Sequence, residues 1–130
     1  MPVSRSIMLC ALVAGCAAAT PQGQPVAPDA FIAAMRGNTQ VGSSTAGGNW
    51  RIYVAEDLTR RGVVFTPNRQ FTITGQVAAR ANGVCSSSPE LRNGQERCYQ
   101  VFRDGDTYES VYNGAVDSRF RIVPGNAYGL

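Results

Sequence analysis

Three observations predict a small, mainly β domain: an antiparallel meander that closes into a barrel or sandwich, preceded by one short helix. Short runs that alternate apolar and polar residues recur from Trp50 to Ile122. Each run ends in turn chemistry such as Pro67-Asn68, Asn82-Gly83, Asp104-Gly105 or Asn113-Gly114. Helical patterning is confined to one stretch near residue 30. About seven short strands with this punctuation fit a compact all-β architecture.

The first residues are a different material. Met1 to Arg5 carries one positive charge, at Arg5, and Ile7 to Ala14 is apolar and uncharged. That run is shorter than the roughly twenty residues a membrane-spanning helix needs. A basic start, an apolar centre and a small-residue exit make residues 1–15 a secretory signal segment. The exit, Leu12-Val13-Ala14-Gly15-Cys16, resembles the lipobox of bacterial lipoproteins. The resemblance implies cleavage after Gly15, with Cys16 receiving a diacylglycerol and an acylated amine. The rival reading is cleavage after Ala17-Ala18-Ala19, which discards Cys16 and releases a soluble chain. Cys10 lies within the apolar run and is lost under either reading.

Residues 16–28 hold Pro21, Pro25, Pro28, Gly23 and two Gln, with no charge, the composition of a flexible tether. Ala17 stands where an Asp retains many lipoproteins at the inner membrane. The analogy favours an outer-membrane anchor facing the periplasm. The folded domain is then 29–130, and it begins with a short helix. Asp29 starts that helix, Gly37 stops it, and Phe31, Ile32 and Met35 form its apolar side.

Strands follow in order. Trp50, Ile52 and Val54 alternate with Arg51 and Tyr53, and Gly62 to Thr66 is a short apolar run. Phe71 and Ile73 form one alternating run, and Val77, Ala79 and Ala81 form the next. Val84-Cys85, Glu96 to Phe102, Thr107 to Tyr112, and Ser118 to Ile122 complete the set. Gly42 to Gly48 reads as a mobile loop; it lacks the Lys-Ser/Thr ending of a phosphate loop.

Cys85 and Cys98 remain in the domain, separated by the polar stretch Ser86 to Arg97. In an oxidising compartment such a pair becomes a disulfide, which contributes about 3 kcal/mol for a loop of this size. A redox role fits poorly, because redox pairs usually have two residues between them. A zinc site needs further Cys or His ligands, so no metal or other cofactor is expected.

The chain has twelve basic residues, all Arg, nine acids and no His. The missing His removes the commonest general base near neutral pH, and with no Lys nothing is present to activate a serine. No catalytic residue is therefore expected, nor a nucleic-acid surface, since the arginines are interspersed with acids. Glu56-Asp57 and Asp104-Gly105-Asp106 read as turn residues rather than a calcium loop. Arg60-Arg61 with Arg69, and Arg119 with Arg121, read as a solvated face, with anionic headgroups as the alternative partner.

With these residues in place, the domain resembles a family of small exported bacterial β domains of unassigned function. The shared marks are Gly37-Asn38-Thr39, Gly47-Gly48-Asn49-Trp50-Arg51-Ile52-Tyr53, Asn82-Gly83-Val84-Cys85, Arg97-Cys98-Tyr99, Asp104-Gly105-Asp106 and Gly125-Asn126 with Leu130. The resemblance implies a lipocalin-like barrel or half-barrel and a Cys85–Cys98 bridge. The expectation is a non-enzymatic, lipid-anchored cell-envelope protein with a binding or scaffolding role. Its partners are the membrane, through Cys16, and an envelope protein. Two alternatives stand beside it: a periplasmic inhibitor of a protease or lysozyme-type hydrolase, plugging with the tether or Gly42 to Gly48, and a carrier of a small apolar ligand.

Overall fold

A computed structural model describes residues 19–130; the expected signal segment, 1–15, and Cys16 lie outside the described residues. The strands are β1 (Gln24–Val26), β2 (Asn38–Ser44), β3 (Asn49–Val54), β4 (Thr59–Phe65) and β5 (Gln70–Arg80). They continue as β6 (Gly83–Ser87), β7 (Arg97–Asp104), β8 (Thr107–Tyr112) and β9 (Ala115–Val123). The one α-helix among the described residues is α1 (Pro28–Met35). Each strand from β2 to β9 pairs antiparallel with the next, and β9 returns to β2. The expected meander is thus a closed eight-stranded barrel with one short helix. Closure removes the free edges that an open sheet would expose.

The turns show how local chemistry sets this path. Asn113 (φ 50°) and Gly114 (φ 78°) are the central residues between paired Tyr112 and Ala115. Two successive left-handed residues match the twist of the flanking strands, and Asn-Gly adopts that geometry most readily. The two alternating runs at Phe71 and Val77 are a single strand, β5, continuous through Gly75. Gly75 has φ 147°, and a Cβ there would collide with the Ser87 carbonyl oxygen. Its bare backbone lets the end of β6 fold closely across β5.

Three segments differ from the sequence expectation. Gly42 to Ser44, expected in a mobile loop, belongs to β2 and pairs with β3 and β9 on its two sides. The strand was hidden because its inward residues include Gln40, Gly42 and Ser44, which give no apolar alternation. The polar stretch after Cys85 is partly strand as well, since β6 runs on through Ser87.

The third difference concerns the tether, which is docked rather than free from Ala19 onward. The Ala19 carbonyl accepts from the Val116 N–H at 3.0 Å, and β1 pairs with Val101 to Arg103 of β7. Gln22 and Gly23 donate their backbone N–H groups to Glu109 Oε1 at 2.7 and 3.1 Å. Proline suits β1 because this short strand has a ladder partner on one side only.

The chain then turns inward at Pro28, whose fixed φ suits the first helical position. Helix α1 lies across one end of the barrel and packs on β2, β5, β6 and β7. Phe31, Ile32 and Met35 are buried there, each worth about 1.5–3 kcal/mol. The barrel therefore has a floor. Its other end is framed by Ala46, Leu91, Arg92, Arg97 and Asp117.

Candidate functional site

The floor is aromatic. Phe31 meets the edges of Tyr108 and Phe120, with ring centroids at 5.5 and 5.8 Å, and Trp50 lies 5.5 Å from Phe120. Above this cluster a cavity of about 390 Å³ extends to the open end. Its walls are the inward side chains of neighbouring strands, including Ile52, Val64, Ile73, Val77, Val84 and Val101. Alternation along the strands puts these residues on one face, and closure makes that face an interior. A volume of this size lies within the range of small-molecule sites, about 300–1,000 Å³.

Toward the mouth the lining becomes polar. Arg60 projects inward from β4, with Ser86, Arg92, Arg97, Tyr99 and Asp117 around the same space. The Arg60 guanidinium donates through Nε and one terminal nitrogen to Ser88 Oγ, at 3.1 and 2.6 Å. A guanidinium has five N–H donors, so a single hydroxyl leaves most of its capacity unused. The salt bridges among the described residues are Arg80–Glu96 and Arg119–Glu109, and neither involves Arg60. Glu90, the acid that acts on it through space, is engaged by the N–H and hydroxyl of Thr74. Loss of water pushes Arg60 down to about 10; Arg92 adds to that push, while Tyr99 and Glu90 oppose it. At neutral pH Arg60 remains a cation in a partly dry space, with no described carboxylate in salt-bridge contact and Glu90 acting on it from a distance.

The other mouth arginines are held differently. Arg97 lies over the Tyr112 ring at 4.2 Å, and interaction with Tyr99 pushes it further up. Such a contact is worth about 0.5–1 kcal/mol when exposed. On the adjoining strands β8 and β9, Ser110 and Ser118 share a hydrogen bond of 2.5 Å.

The sequence-derived candidates are dispersed. Cys85 and Cys98 face each other in register on β6 and β7, with their sulfurs 2.01 Å apart, the distance of a disulfide. Glu96 lies close to both sulfurs, yet it is paired with Arg80, and a disulfide offers no thiolate to a metal. Glu56-Asp57 and Asp104-Gly105-Asp106 sit in the β3–β4 and β7–β8 turns, at the floor end. Asp57 accepts from the Thr59 hydroxyl and N–H, which hold its carboxyl below the usual range.

The expected basic face is split by the strand period. Arg60 lines the interior while its neighbour Arg61 is exposed. Arg69 lies over Phe71, and Arg119 is bonded to Glu109. Sequence reasoning thus missed Arg60 and its partner Ser88. The available signal was the alternation Arg60, Gly62, Val64, which places the arginine on the same face as the core valine. Comparison with protein-family models, with curated proteins and with solved structures finds no match to this chain.

Proposed function

We propose that this chain is a non-enzymatic, lipid-anchored cell-envelope protein whose barrel binds a small molecule with an apolar body and an anionic head. The observation that carries the reading is Arg60, a half-buried cation with one hydroxyl as its hydrogen-bond partner, lining a mainly apolar cavity inside the barrel. A half-buried charge with one hydrogen-bond partner leaves donors to spare, and a ligand carboxylate or phosphate would supply the missing acceptors in bidentate geometry. The aliphatic walls and the aromatic floor would take the apolar body. Anchoring through Cys16 follows from the lipobox resemblance of residues 12–16.

The hydrolase-inhibitor alternative asks for a free plug. Ala19 to Val26 is hydrogen-bonded to the barrel wall, and Gly42 to Ser44 is strand, which favours the ligand-binding reading over it.

Trp50 is the sole tryptophan and lines the cavity, so its fluorescence reports filling directly. Titration with laurate is expected to give a saturable change. The uncharged alcohol of the same chain length should bind at least about tenfold more weakly, since hydrogen bonds to charged groups contribute about 1.5–3 kcal/mol. Equal binding of acid and alcohol, or no binding of either, would overturn the reading. A mass spectrum of the mature protein from membranes checks the anchor, with Cys16 expected as an acylated first residue.

A further inference from the structure

The barrel's mouth and the first described residue, Ala19, lie at the same end of the molecule. The Ala19 carbonyl is bonded to Val116, whose neighbour Asp117 lines the mouth. Thr45, in the turn beside the mouth, bonds the Asp117 carbonyl at 2.9 Å and so ties the rim together there. From Ala19 the chain runs down the outer wall to the floor, pinned midway by Glu109, which is 1% exposed. Cys16 precedes Ala19 by three residues, a length of at most about 11 Å of extended chain.

The rim itself has the chemistry of a membrane-contacting surface. Tyr112, one of two large hydrophobic side chains exposed among the described residues, stands there with Arg97 over its ring. Arg69 lies over Phe71 at 4.4 Å beside the β4–β5 turn, at the same end of the barrel. Tyrosine is favoured where an apolar and a wet phase meet, and arginine is attracted to anionic headgroups by about 1 kcal/mol per residue. Arg92 adds a third cation at the opening.

We infer that the mouth lies against the bilayer that holds Cys16, and that the barrel takes its ligand, a single-chain anionic lipid, directly from that bilayer. This rests on the ligand-binding reading above and adds the source and the chemical class. A cavity of about 390 Å³ is at the small end for ligand sites, which selects one chain over two. The apolar chain would pass from one dry phase to another, while its head moves from the lipid surface to Arg60.

The test uses the mature lipoprotein, purified from membranes and reconstituted in phosphatidylcholine vesicles. A fatty acid carrying a bromine on its chain serves as the probe, because bromine quenches Trp50 on contact. It is supplied either in the vesicles that carry the protein or in separate vesicles. Quenching from the protein's own vesicles is expected to be at least about tenfold faster, since a mouth held against the bilayer takes the ligand without its crossing water. A flexible Gly-Ser insert of about thirty residues between Ala18 and Ala19, reaching about 30 Å, should abolish that advantage and leave the final quenching unchanged. Equal rates from the two sources, or an advantage that survives the insert, would overturn the membrane-facing mouth while leaving the cavity reading intact. No quenching from either source would overturn both.

Discussion

Two regions of this barrel draw a charged side chain away from water, Glu109 fully and Arg60 in part, and they treat it in opposite ways. On the outer wall, Glu109 is covered by the N-terminal segment and fully engaged. Its carboxylate accepts from two backbone N–H groups and from Arg119 Nε at 3.3 Å. In the interior, Arg60 has Ser88 Oγ and an apolar cavity beside it. The first arrangement is complete as it stands, and its role is to hold chain to chain. The second leaves donors unused, which on the proposed reading an anion would fill. The difference teaches that the degree of satisfaction, more than burial itself, separates a structural charge from a binding one.

The largest expected effect tests the outer region. Glu109→Ala leaves two N–H groups and Arg119 without their acceptor and should cost about 2–4 kcal/mol in urea unfolding. It should also raise hydrogen exchange at Gln22 and Gly23, while laurate binding by the detergent-free protein persists.

The next variant has the opposite sign. Arg60→Met replaces a half-buried cation with an apolar side chain and, net of the partner that Ser88 loses, should stabilise the empty barrel by about 1 kcal/mol. For a domain of this size that raises Tm by about 4–8 °C per kcal/mol. The same change should weaken laurate binding by at least about tenfold. A variant that unfolded more easily would show that Arg60 is structural, and the contrast with Glu109 would fail.

The smallest effect is a pH dependence. The protonated Arg60 is the form that attracts a carboxylate, and in the free protein it loses its proton at about 10. Laurate, already ionised at neutral pH, should bind with constant affinity from about pH 7 to 9 and progressively less tightly above about 10. Arg60→Met should remove that inflection.

Much of the fold was legible because strand alternation and turn chemistry agreed. Trp50-Ile52-Val54 and Asn113-Gly114 each specify their local geometry without help from the rest of the chain. The strands β1 and β2 were not legible, for different reasons. Pro25 and Gly23 carry a linker's composition, and only the tertiary partners Glu109 and β7 make that segment ordered. In β2, Gly42 is required because β9 approaches closely at Phe120, and Gln40 faces inward to donate to Met35 Sδ. Both features belong to the assembled barrel. The cysteine pair was readable because Cys85 and Cys98 are the two cysteines of 29–130, whereas Arg60 was masked by Arg61, because adjacent like charges look like one patch until strand phase separates them.

The Cys85–Cys98 bond has a consequence for the opening. Leu91 and Arg92, which overhang the cavity, lie within the thirteen-residue separation that the bond spans. The sulfur bridge fastens the root of that overhang, on strands that are already laddered together. What it stiffens is the doorway: a covalent hoop keeps the lintel at a fixed height whether or not the room behind it is occupied.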